Sequence, residues 1–194
     1  MPKKTFTAPL ELKADGEPGE FKAVFSTLNV VDLDEDVTEP GAFENQETVV
    51  EPWNHGWTLP AGKGVIKSND REAWIEGQFF LDTEVGKENY QTVKNLGPLA
   101  EWSYTFDIVE VGFGKFNDRD VRFLKKLDVV GVSPVTRGAG IDTRTTGIKG
   151  TTQDNQANDD EGQADSPEGA DGTPSGIGPA VVLAEIDLIE LGEI

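Results

Sequence analysis

Apolar and polar residues alternate along much of the chain between residues 20 and 137. In "EFKAVFSTL" (20–28), Phe21, Ala23 and Phe25 fall on one face. "EWSYTFDIV" (101–109) puts Trp102, Tyr104, Phe106 and Ile108 on one side and Glu101, Ser103, Thr105 and Asp107 on the other. That period of two is the signature of a half-buried strand. "EAWIEGQFFL" (72–81), "RDVRFLKKL" (119–127) and "VVGVSPV" (129–135) also predict strands. "GFGKFN" (112–117) reads as a hairpin turn. The segment "EVGKENYQTVKNL" (84–96) predicts a helix, with Thr83 as N-cap and Gly97-Pro98 as the stop. The expected fold class is mainly β (α+β), a β-dominated domain with one or two helices.

Composition then separates the tail from this domain. Residues 151–194 hold eleven acids and no Lys or Arg. The stretch 150–179 is rich in Gly, Ser, Asp, Asn and Gln, the composition of a disordered acidic linker. "AVVLAEIDLIELGEI" (180–194) is apolar again and reads either as a docking segment or as a tail that folds back. The expected organisation is an N-terminal arm (1–19), a folded domain (20–149), the linker (150–179) and the apolar segment (180–194). The net charge of −19 argues against nucleic acid and against anionic membranes. No run approaches the ~20 apolar residues that span a bilayer, so the chain reads as soluble and intracellular. There are no cysteines, which removes disulfides, thiolate metal sites and cysteine nucleophiles.

The chemistry therefore narrows to a few residues. His55 is the only histidine, set in "EPWNHGWTLPAGKG" (51–64) between Trp53 and Trp57 and near Pro52 and Pro60. One His without Cys makes a zinc site a poor reading. "DLDED" (32–36) lacks the glycine and distal Glu of a calcium loop and reads as an acidic turn. No cofactor and no metal is expected. A serine nucleophile needs a base, and His55 is the one imidazole able to serve. Ser103 lies on the polar face of a strand whose other face is aromatic or aliphatic, a mounting that can hold an Oγ in place. Spacing alone does not distinguish it from an ordinary exposed strand serine.

Four stretches, in order, resemble the prohead (capsid-maturation) serine proteases of tailed phages. "FKAVFSTLNVVDLDEDVTEPGAF" is similar to the family's opening strand, acidic turn and D-x-x-x-P-G-A-F segment, here Asp36 to Phe43. "VVEPWNHGWTLPAGKG" resembles the strand that ends in the catalytic His. "EGQFFLDTEVGKENYQTVKNLGPLAEWSYTF" resembles the strand, helix and strand that deliver the nucleophile, with Gly97, Leu99, Ser103 and Phe106 meeting G-x-L-x-x-x-S-x-G-F. "LDVVGVSPVTRGAG" resembles the closing E-V-S-x-V strand and its small-residue turn. The resemblance implies a compact, herpesvirus-protease-like β-barrel wrapped by one or more helices. It implies an endopeptidase that trims scaffold or major capsid protein, and itself, inside the immature capsid in the host cytoplasm, with self-association as a further expectation. His55 would be the general base, Ser103 the nucleophile, and Arg137, Gly138 and Ala139 the oxyanion and substrate side. The tryptophans and prolines would restrict the imidazole. Thr105 stands where the family has Gly, and Gly131 where it has Glu. The loss of that Glu leaves a Ser–His dyad or calls for a substitute, for which Asp128 is the expected residue. The alternatives are a catalytically weak or inactive relative acting as an assembly or scaffolding factor, and a β-barrel binding module.

Overall fold

The computed structural model describes residues 11–13 and 17–150, with side chains from residue 17 onward. The expected linker beyond Gly150, the apolar segment 180–194 and most of the N-terminal arm lie outside the described residues. The strands are β1 (Glu11–Lys13), β2 (Glu20–Thr27), β3 (Asp36–Thr38), β4 (Glu47–Val50), β5 (Gly62–Ser68), β6 (Glu72–Phe79), β7 (Glu101–Phe116), β8 (Arg119–Val135) and β9 (Arg144–Lys149). Between β6 and β7 lie helix α1 (Glu84–Leu96) and a short 3-10 turn (Gly97–Leu99).

All nine strands belong to one mixed sheet, in the order β1-β9-β2-β6-β5-β4-β8-β3, with β7 paired to β8. The expected closed barrel is therefore corrected to an open sheet. One edge of β8 is shared between β3 and β4, its other edge is taken by β7, and among the described residues no ladder joins this end to β1. The sheet nevertheless folds over its own core. Phe21 of β2 stacks on Trp102 of β7 with ring centroids 5.1 Å apart, although these strands are not sheet neighbours. Phe25, Phe43 and Tyr104 form a second aromatic group with centroids 5.2–5.3 Å apart. Pairings of this kind add to simple area burial.

Helix α1 begins and ends where its signals put it. Thr83 Oγ1 accepts the Gly86 N–H at 3.1 Å, and Gly97 leaves the helix at φ 53°. The stretches 119–127 and 129–135 are one continuous strand, β8. "GFGKFN" is mostly strand rather than turn. The reversal is the two-residue loop Asn117-Asp118, at φ 51° and 64°. Left-handed geometry at both positions is what a type I′ hairpin turn demands, and Asn and Asp tolerate it.

Candidate active site

Ser103 is held by its neighbours on β7. Trp102 is fully buried, its N–H donates to Thr143 Oγ1 at 3.1 Å, and its indole N–H donates to Thr145 Oγ1 at 2.9 Å. Tyr104 packs between Phe25 and Phe43. With both flanking side chains fixed in the core, the pleat turns Ser103, half-buried, to the opposite face. Its cross-strand partner is Ser133 of β8.

His55 sits on the loop between β4 and β5, where Asn54 and His55 both adopt φ 56°. Left-handed backbone at a non-glycine residue costs on the order of 1 kcal/mol or more, so the surroundings must hold it. The hydrogen bonds are on hand. Glu51 N–H donates to Val132 O at 2.9 Å, Asn54 N–H to Pro134 O at 2.9 Å and His55 N–H to Ser133 Oγ at 3.0 Å. The Thr136 N–H donates to Asn54 Oδ1 at 3.0 Å, and the Trp53 indole donates to Thr136 Oγ1 at 3.3 Å. Trp53 packs on the core and Pro52 is buried, whereas Trp57 is fully exposed and Pro60 is exposed. The restraint expected from both tryptophans and both prolines thus comes from Pro52 and Trp53 alone.

Strand and loop bring His55, Ser103, Arg137, Gly138 and Ala139 to one groove of about 520 Å³. No hydrogen bond joins Ser103 to His55 among the described residues. The His55 Nδ1 is occupied by Glu51, which leaves Nε2 as the free ring nitrogen: Nδ1 and Glu51 Oε2 are 2.5 Å apart, with side-chain exposures of 34% and 18%. Thr105 Oγ1 donates to the same carboxylate oxygen at 3.1 Å.

Asp128 is not brought to this cluster. It is exposed, lies opposite Asp107 in the β7–β8 register, and stands five positions along β8 from Ser133, a run of about 16 Å. Sequence reasoning missed Glu51. The signal was an acid four residues before the only histidine, but its meaning depends on a strand eighty positions further on. The Gly138 N–H is also committed, since it donates to the buried Glu101 carboxylate at 2.9 Å. Arg137 and Ala139, the other two residues expected on the oxyanion side, also line the groove.

The acidic turn beside the groove organises itself. Asp32 Oδ1 accepts the N–H groups of Asp34 and Asp36, each at 2.9 Å. Burial pushes the Asp32 carboxyl above its ordinary range, and those two N–H bonds work against the shift. Among the described residues, no group of three or more His, Asp or Glu side chains could hold a metal ion. No described helix is long and apolar enough to cross a membrane.

A strand-mounted serine and an imidazole held by a carboxylate thus line one groove. A family model described as caudovirus prohead serine protease matches residues 9–158. The chain belongs to that family, whose members are serine peptidases of capsid maturation in tailed bacteriophages. No curated protein and no solved structure matches the chain.

Proposed function

We propose that the chain is an active serine endopeptidase that cuts capsid or scaffold protein inside the immature capsid, with Ser103 as nucleophile and His55 as general base. The observation that carries this reading is the groove shared by Ser103 and His55, with Nδ1 engaged and Nε2 free to take a proton. His55 Nε2 accepts the Ser103 proton as Oγ bonds to the scissile carbonyl carbon. The tetrahedral oxyanion is met by the Ala139 N–H and the Arg137 guanidinium. Collapse breaks the C–N bond, and the proton passes from Nε2 to the leaving amine. Water, deprotonated by His55, then releases the acyl group. An open Ser–His distance in the free enzyme is compatible with this, because such hydrogen bonds tighten when substrate binds.

The test is covalent labelling of the full chain with a fluorophosphonate probe, together with co-expression with the phage's capsid protein. Wild type should be labelled at Ser103 and should process capsid or scaffold protein. Folded Ser103→Ala and His55→Ala variants should do neither. Full processing by either variant removes the reading, and an unlabelled wild type favours the inactive assembly factor.

A further inference from the structure

We propose that Glu51 is the positioning acid of His55, lodged in the space that the absence of a side chain at Gly131 leaves open. The proposal rests on the reading of Ser103 and His55 as nucleophile and base.

The two places where this chain departs from its family resemblance meet at one carboxylate. A Cβ added at Gly131 would lie 2.6 Å from both Cγ and Oε1 of Glu51, well inside contact distance. Glu51 therefore fills the space that a side chain at 131 would need, and with one there Glu51 would have to leave its present position against the ring. Opposite Gly131 in the β7–β8 register stands Thr105, whose hydroxyl donates to Glu51 Oε2 at 3.1 Å and lies 3.1 Å from His55 Nδ1. Gly131 makes room for the carboxylate, and Thr105 holds it against the ring.

The chemistry follows from the contact. Oε2 accepts the proton on Nδ1, which fixes the tautomer with a bare Nε2 and aims that nitrogen into the groove. When Nε2 takes the Ser103 proton, the carboxylate compensates the imidazolium charge. Removing such an acid without removing its shape costs up to about 10⁴-fold in rate in the chymotrypsin-type triad.

The tests use the full chain. Glu51→Gln should slow fluorophosphonate labelling of Ser103 by about 10²- to 10⁴-fold without changing the circular dichroism. In the Ser103→Ala background, the proton on Nδ1 should give a downfield NMR signal, assignable at once because the chain has one histidine. That signal should be lost in Ser103→Ala/Glu51→Gln. The acid should also be transferable. Glu51→Ala/Gly131→Glu should label at least tenfold faster than Glu51→Ala, since the first change vacates the space the second needs. Wild-type labelling by Glu51→Gln, an unmoved Nδ1 signal, or a double variant no faster than Glu51→Ala each overturns the proposal. The NMR arm needs no activity. An unlabelled wild type with a Glu51-dependent signal would sink the Ser103 reading and leave the His55–Glu51 coupling standing.

Discussion

The backbone N–H of Trp53 donates to Asn89 Oδ1 at 2.8 Å, tying the histidine loop to helix α1. Asn89 is buried, and its amide N–H donates back to Val85 O at 2.8 Å within the helix. Asn89→Ala leaves the Trp53 N–H unsatisfied at a half-buried position. The expected loss is about 1–3 kcal/mol of stability, together with slower Ser103 labelling. Urea denaturation and labelling kinetics check the two effects. Slower labelling at unchanged stability would place the effect on loop position alone, and no change in either would show that the loop does not depend on the helix.

Ser133 is the second serine of the site and is fully buried. Its Oγ accepts the His55 N–H at 3.0 Å and lies 2.8 Å from Pro52 O as donor. Ser133→Ala should destabilise the chain by about 1–3 kcal/mol and slow labelling without abolishing it, whereas Ser103→Ala abolishes it. Peptide mapping of the probe adduct distinguishes the two serines. An adduct on Ser133 would reverse their roles.

Asp128 and Asp107 are both exposed and directly opposite in register, so two like charges face each other across the ribbon. Cross-strand like charges are unfavourable by a few tenths of a kcal/mol. Asp128→Asn should therefore leave the labelling rate unchanged and raise stability slightly at low salt. A strong loss of rate would restore Asp128 as the orienting acid and count against Glu51.

Glu76 accepts hydrogen bonds from Lys67 and from the Trp74 indole, and Lys22 lies 3.3 Å away. Its carboxyl is pushed down to about 2 from 4.5, chiefly by the Lys67 bond and then the Trp74 bond, against desolvation. A depressed carboxylate contributes stability above its unfolded value, and the contribution is lost as pH falls through the folded value. The advantage of wild type over Glu76→Gln should be largest above pH 4.5 and disappear toward about pH 2. The side chain is 39% exposed, so the advantage should be no more than about 1 kcal/mol and should shrink in salt. Urea titrations at several pH values check this. A difference that persists to the acid limit would assign the effect to packing on Trp74.

The elements legible in the sequence are those whose pattern is local. β2 alternates Phe21, Ala23 and Phe25, the first half of β7 alternates Trp102, Tyr104, Phe106 and Ile108, β6 carries Trp74, Ile75 and Phe79, and α1 has its own cap and stop. β5 is different: "GKGVIKS" (62–68) has no alternation, and it becomes a strand because β4 and β6 pair on either side of it. Sheet closure is likewise a long-range property. Nothing in the composition of β8 tells that one edge will be divided between β3 and β4. In the site, His55 and Ser103 were legible as residue types, and the groove side 137–139 as a glycine-rich turn. Glu51 was not, because its role exists only once the backbone at Gly131 lies against it. Nor was the loss of the Gly138 amide, which depends on Glu101 turning inward beside the nucleophile.

The histidine loop takes most of its anchoring from chain made much later. Its partners Ser133, Pro134 and Thr136 come about eighty residues after His55, and Asn89 about thirty-five after Trp53. Contacts so distant in sequence form late, after the costs of loop closure have been met. A ribosome-bound chain that has emerged only as far as Ser103 already contains Ser103, His55 and Glu51. It lacks β8, so Asn54 and His55 are without the Ser133, Pro134 and Thr136 partners of their left-handed conformation, and neither Thr105 nor Gly131 is yet present to meet Glu51. On the proposed reading of Ser103 and His55, the site is complete only once the second arm of the ribbon has been translated and laid down.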